Sequence, residues 1–322
     1  MNDSRTPSVW QISGGPVDRP YAELFLKHGV ALIGPAHDGP WRPGRTGMDA
    51  GDVVCRFAEE LHLGDLLLLR TAASEVVAVG LVAGDYEFLD PFDDVRGWDL
   101  RHGRRVRWFR LPEPYRFEEP VFGANPRRLA RVQNATAVDY ARSFLASGLT
   151  RWREAPLPAL PEAEPPLEEP PEPLRDVVGL ARDLIGLYFD EERLGDAPNE
   201  NEMTAHFVVP FLRALGWPQE RIAVEWRRID VALFAALPRT PENCRFVIEV
   251  KRLGSGLEGA RNQAENYVAG LGLSCDVVVS DGFRYRLFDH DNDFASAAYA
   301  NLARLKTSSV ALFDRLRRPQ GA

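Results

Sequence analysis

Arg245 to Lys251, RFVIEVK in one-letter code, is the stretch on which the reading of this chain turns. Its apolar residues predict a β-strand, and the period of two places Val247, Glu249 and Lys251 on one face and Phe246, Ile248 and Val250 on the other. A carboxylate and an ammonium thus leave an otherwise apolar strand together. Burying either charge unpaired is costly, so something must compensate them. A Glu249–Lys251 pair on a solvated edge strand would do so without any function; a site supplied by other elements would do so with one.

The neighbouring sequence favours a site. Asp230 opens the preceding predicted strand, in RIDVALFA, and the loop LPRTPENC between the two is what adjacent antiparallel strands would need. Asp230, Glu249 and the Val250 carbonyl then make a hard oxygen set suited to Mg²⁺, with Mn²⁺ as a substitute. A metal there would polarise a phosphate and lower the pKa of a water, while Lys251 would position that water and offset developing charge. Upstream, NENEMTAHFVVPFLRALGW predicts a helix over Glu200–Leu215 that stops at Gly216. Glu200 shares a face with Met203, Phe207 and Phe211, and Glu202 with His206 and Arg213. Either could simply complement the helix dipole. Downstream, QAENY sets Gln263 and Tyr267 at i and i+4 on one helical face.

Further outward, helices are predicted over Asp176–Phe189 and Leu257–Ala269 and near the C-terminus. Strands are predicted over Ile222–Trp226, Ile229–Ala235, Arg245–Lys251, Asp276–Ser280 and, more briefly, Arg284–Phe288. The order αβββαβ implies one mixed sheet flanked by helices across residues 175–322. Residues 151–174 are a linker, because EAPLPALPEAEPPLEEPPEP alternates proline with glutamate and predicts an extended, polyproline-like spacer. Residues 1–150 read differently. Short strands at Val9–Ile12, Val30–Ile33, Asp65–Arg70, Val76–Val82 and Val106–Arg110, with helices at Ala22–His28 and Ala135–Ala146, imply a small bent sheet or barrel.

Composition leaves this α+β and α/β reading open to several partners. The net charge is −8, but six glutamates and no basic residue fall between Glu154 and Glu172, so the remainder is close to balanced. Charge neither supports nor excludes nucleic acid. Three cysteines, Cys55, Cys244 and Cys275, have no zinc or disulfide spacing. No apolar run reaches membrane length and MNDSRTPS is not a signal peptide, so a cytoplasmic chain with no membrane partner is expected.

Taken together, the NE-to-PFLRALGW helix, Asp230, the Glu249-Val250-Lys251 triplet, the QAENY helix and the YRLFD strand resemble the PD-(D/E)XK nuclease superfamily. The closest likeness is to the nuclease-like domain at the N-terminus of type I restriction subunits. The resemblance implies metal ligands at Asp230 and Glu249, a catalytic lysine at Lys251, supporting roles for Gln263 and Tyr267, and a helix glutamate that completes the site, Glu200 or Glu202, with Glu200 preferred for the apolar face it shares. GxxxxGK[ST] is absent, so no nucleotide cofactor is expected.

The N-terminal runs VWQISGG, HGVALIGPAHDGPW, FAEELHLGDLLLLR and VVAVGLVAGDYEFLD resemble PUA-like domains of the EVE type. That resemblance implies a reader that flips a modified base, often a cytosine, into an aromatic pocket. Candidates for the pocket are Trp41, Tyr21, Tyr86, Trp98, Trp10 and Phe88, with Asp38 as a polar reader. Arg101, Arg104, Arg105, Arg107 and Arg110, together with Arg252, are candidate DNA-backbone contacts, although a solvated strand face explains the first five equally well. The combined expectation is a modification-dependent, prokaryotic restriction endonuclease acting on double-stranded DNA as a homodimer or DNA-templated pair. Its rivals are a nuclease for unmodified or structured DNA and an RNA-binding PUA-like protein with a vestigial nuclease fold.

Overall fold

Backbone pairing gathers the strands into two six-stranded mixed sheets, one in each of two compact units. The computed structural model describes residues 6–15, 21–34, 36, 39–43, 53–95, 98–123, 127–147, 150–188, 190–253 and 257–318. Residues 1–95 and 99–163 form the first unit, and residues 96–98 and 164–322 the second.

The first unit contains β1 (Val9–Ser13), α1 (Ala22–His28), β2 (Val30–Ile33), α2 (Val53–Cys55), β3 (Leu66–Arg70), β4 (Glu75–Phe88), β5 (His102–Arg116), β6 (Leu129–Arg131), α3 (Ala135–Ala146) and α4 (Thr150–Glu154). Its sheet runs β2-β5-β4-β3-β1-β6, with β1 and β3 parallel and the other neighbours antiparallel. Two strands are much longer than their apolar runs. β5 continues through Pro112 and Pro114, and a register shift in β4 between Val76 and Ala78 accommodates them. β6 is three residues long, too short to leave a periodic signal.

Asp65 ties this sheet together. Gly64 turns with φ +84°, and the wholly buried Asp65 carboxylate accepts from Ser8 N at 2.9 Å, Trp10 Nε1 at 3.1 Å and His62 N at 3.0 Å. Removing it strands three donors away from water. Asp65→Ala is expected to cost about 3 kcal/mol of stability, read by urea unfolding followed through tryptophan fluorescence, with Asp65→Asn milder. A loss under about 1 kcal/mol would mean that water replaces the carboxylate.

The proline-rich segment, expected as an extended spacer, is held by contacts near both of its ends. Arg107 Nε donates to Ala155 O at 2.9 Å, and Arg105 donates to Pro158 O. Further on, Leu167 N donates to Leu305 O at 2.9 Å, and Glu164 accepts from Ser308 Oγ at 2.8 Å. A prolyl backbone offers carbonyls without N–H partners, and these donors use some of them. The first part of the segment therefore belongs to the first unit and the rest to the second.

The second unit contains α5 (Arg175–Tyr188), α6 (Glu191–Leu194), α7 (Glu200–Met203), α8 (Val209–Ala214), β7 (Ile222–Trp226), β8 (Ile229–Phe234), β9 (Cys244–Val250), α9 (Leu257–Gly270), β10 (Asp276–Ser280), β11 (Arg284–Asp289), β12 (Ala295–Asn301) and α10 (Ser309–Leu316). Sheet order is β12-β11-β10-β9-β8-β7, and only β9 and β10 are parallel, bridged by α9. Strand β12 was not legible in the sequence: ASAAYAN is too small and polar to read as a strand. Alternating residues of β8, β9 and β10 face two cores. Val231, Leu233, Phe246, Ile248, Val250 and Val278 pack with α5, α7, α8 and α10. Ala232, Phe234, Val247, Val277 and Val279 pack under α9. Cys244 and Cys275 lie together in this second layer, where Cys244 Sγ donates to Phe246 O at 3.7 Å.

Candidate active site

The β9 strand is interior to its sheet, between β8 and β10, and Glu249 is only 1% exposed. The solvated edge-strand explanation for the Glu249–Lys251 pair therefore fails. Alternation puts Glu249 on the α9 side with Val247. The pairing Val231↔Ile248, continued by one step, sets Asp230 opposite Glu249. Asp230 Oδ2 accepts from Val250 N at 2.7 Å, which locks the start of β8 to the end of β9.

From Glu249 a chain of polar contacts leads outward. Lys251 Nζ donates to Glu249 Oε1 at 2.6 Å and to Gln263 Oε1 at 3.2 Å, and Gln263 Nε2 donates to Tyr267 Oη at 3.4 Å. Gln263 and Tyr267 reach the site because α9 covers the same sheet face. Among the described residues, Glu249 Oε2 is buried with no hydrogen-bond partner. A buried carboxylate oxygen without a donor is destabilising unless a cation completes it.

The helix at Glu200 is not continuous. α7 begins with a capping box in which Asn199 N donates to Glu202 at 2.8 Å and Glu202 N donates to Asn199 at 3.0 Å. A π turn over Thr204–Val208 follows, and then α8 with Pro210 in its first turn. Proline cannot supply the helical N–H, and the widened turn accommodates it. Glu202 is thus committed to the cap, while Glu200 acts electrostatically on Asp230, Glu249 and Lys251.

The charges are unevenly matched. Burial pushes the Asp230 carboxyl up, against its bond from Val250 N and the attraction of Lys251, and Glu200 and Glu225 push it further. Burial likewise raises Glu249, against the Lys251 contact, with Asp230 and Glu200 adding to the rise. Burial alone would lower Lys251, but the bond to Glu249 and the fields of Glu249, Glu200 and Asp230 outweigh it and hold the ammonium above its usual range. Glu225 escaped the sequence reading. Its place on β7 across from Asp230, given Val224↔Val231 and Trp226↔Ile229, appears only once the hairpin is formed.

Among the described residues, no three of His, Cys, Asp and Glu form a group that could hold a metal by themselves. The carboxylates of Asp230 and Glu249 do lie together here, and carboxylate oxygens are hard donors of the kind that suit a divalent cation that keeps most of its water.

In the first unit the outcome for the candidate residues is mixed. Trp41 N donates to Tyr86 Oη at 2.8 Å, and Tyr86 Oη lies 2.8 Å from His102 Nδ1. The Phe88 ring stands edge-on to His102 at 5.4 Å. Trp41, Tyr86 and Phe88 are half-buried. Trp10 and Tyr21, at 2% and 8% exposure, are buried in the core. Trp98 groups with the second unit, so a pocket of the first unit alone lacks it. Asp38 lies outside the described residues.

The arginine reading also needs correction. Arg101 and Arg104 are buried. Arg101 pairs with Asp99 at 2.6 Å and lies over Phe88, and Arg104 donates to the carbonyls of Phe57 and Ala58 at 2.8 and 2.7 Å. On β5 itself, Arg105 and Arg107 are half-buried and Arg110 is exposed. Arg105 and Arg107 serve the proline-rich segment, and Arg110 pairs with Glu23 at 2.7 Å. Arg252 is exposed.

A family model described as Domain of unknown function (DUF8426) matches residues 36–125. No curated protein matches. A solved fragment assigned to the HsdR subunit of a type I restriction enzyme from Vibrio vulnificus YJ016 is similar at 21% identity over 37% of this chain and 25% of that one. Its TM-score is 0.26, too loose a superposition to define a common fold. The chain spans about a quarter of that protein's length. Among the described residues, no helix is long and apolar enough to cross a membrane.

The raised carboxyls have a consequence for stability. A carboxyl whose folded pKa lies above its unfolded value favours folding when protonated, and that contribution is lost as pH rises through the folded pKa. Ionised Asp230 therefore destabilises the metal-free protein near neutral pH. Asp230→Asn keeps an oxygen for Val250 N and removes the charge. Its thermal midpoint in EDTA at pH 7.5 is expected to rise by about 1 to 3 °C, with the gain fading as pH falls into the range where Asp230 protonates. An unchanged or lower midpoint would show that the charge is compensated internally.

Proposed function

We propose that the second unit is a metal-dependent DNA nuclease of the PD-(D/E)XK kind. The observation that carries this reading is the buried Glu249 carboxylate, with one oxygen on Lys251, the other unpartnered among the described residues, and Asp230 beside it. Asp230, Glu249 and the Val250 carbonyl would hold Mg²⁺, or Mn²⁺ in its place; the bound ion supplies Lewis-acid polarisation of the phosphate and a more acidic water. Lys251 orients that water and offsets charge on the phosphate. Gln263 fixes the Lys251 ammonium, and Tyr267 fixes Gln263. Glu200 adds negative potential that favours cation binding.

In this reading the chain is a modification-dependent restriction endonuclease of a prokaryotic cytoplasm. Its first unit is a PUA-like reader of a modified base, and the half-buried Trp41, Tyr86 and Phe88 supply the aromatic surface for such a base. One such centre cuts one strand, so double-strand cleavage calls for a dimer or two copies assembled on DNA.

The test is cleavage of matched duplexes carrying cytosine, 5-methylcytosine, 5-hydroxymethylcytosine or N6-methyladenine, with Mg²⁺ and with EDTA. Mg²⁺-dependent cutting of a modified-cytosine duplex is expected. Equal cutting of all four would remove the modification reader and keep the nuclease. Lys251→Ala is expected to slow cleavage by about 100-fold or more while leaving DNA affinity nearly unchanged. Full cleavage by that variant would overturn the catalytic assignment.

A further inference from the structure

The hairpin joining β7 to β8 closes through Arg227 and Arg228, between the paired Trp226 and Ile229. Both arginines have left-handed backbone, with φ +52° and +74°, and Glu225 before them has φ +54°. Positive φ at both central positions of a two-residue hairpin is the type I′ turn, which Asn-Gly closes with least strain. A residue with a β-carbon costs about 1 kcal/mol or more at each such position. Two arginines are therefore a poor filling for the turn itself. What they add is a pair of exposed guanidinium groups directly ahead of Ile229 and Asp230.

The surroundings give those cations a task. Asp230, Glu249, Glu200 and Glu225 make the site strongly negative, and Lys251 is already bound to Glu249 and Gln263. A phosphate approaching that site meets repulsion unless cations flank its path. The mounting is also firm. The Arg227 guanidinium lies 4.8 Å from the centre of the Trp226 ring, and Trp226 packs edge-on to Phe234 at 5.0 Å.

We propose that Arg227 and Arg228 form a phosphate clamp, a strained turn that grips the DNA backbone beside the carboxylate site. The inference rests on the nuclease reading. It assigns to the β7–β8 hairpin the backbone contact that buried Arg101 and Arg104 cannot make.

Relieving the strain and removing the charge at once separates this role from a structural one. In the full chain, Arg227→Asn with Arg228→Gly is compared with Arg227→Lys with Arg228→Lys and with the unaltered protein. Thermal midpoints are measured, together with anisotropy of a fluorescein-labelled DNA duplex containing 5-methylcytosine, titrated in EDTA across a KCl series. The Asn-Gly variant is expected to melt higher, to bind about tenfold more weakly at about 0.1 M salt, and to show a salt slope shallower by about 1 to 2. The double lysine variant is expected to keep the slope. Unchanged affinity and slope in the Asn-Gly variant, with the unaltered protein binding and cutting DNA, would overturn the clamp and leave the nuclease standing. A lower midpoint together with binding that the lysines do not retain would also overturn it, in favour of a structural turn. If the unaltered protein neither binds nor cuts DNA, the nuclease reading fails and the clamp with it.

Discussion

Glu249 is a carboxylate on an interior strand, 1% exposed, with one oxygen on Lys251 and, among the described residues, no donor for the other. An interior strand flanked by two apolar layers is the least favourable place for such a group. The surrounding elements are arranged around that constraint. The Asp230 bond to Val250 N fixes β8 against β9, α9 brings Gln263 onto Lys251, and the π turn before Pro210 accompanies the α7 helix that carries Glu200. Each contact orders a group near the Glu249 carboxylate, and none completes it.

The second unit's site was largely legible because its residues sit at fixed offsets in regular elements. Strand alternation placed Glu249 and Lys251 together, a helical i, i+4 step placed Gln263 and Tyr267 together, and the short loop between β8 and β9 implied that Asp230 lies nearby. The capping box that engages Glu202 depends on hydrogen-bond geometry that no periodicity carries. Glu225 and the Cys244–Cys275 contact were hidden for a related reason. Both arise from cross-strand register, and register is set by whole hairpins and crossovers.

The first unit was less legible. The β5 segment carries Arg101, Arg104, Arg105 and Arg107 in or beside an interior strand, so its charges read as a surface from sequence. In the structure they donate to carbonyls and pair with Asp99. Asp65, which reads from sequence only as the start of the strand Asp65–Arg70, is the hub that holds Ser8, Trp10 and His62. Guanidinium groups and carboxylates at the ends of strands thus organise this sheet as much as its apolar residues do.

Divalent-ion binding to the Glu249 carboxylate tests the central claim most directly. Calorimetric titration of Mn²⁺ into the full chain, beside the same titration of Glu249→Gln, reads it without needing the right DNA substrate. Saturable binding to the unaltered chain, weakened by about tenfold or more in the variant, is the expected result. Identical isotherms for the two proteins would contradict it, because the unpartnered oxygen of Glu249 would then have no cation to complete it.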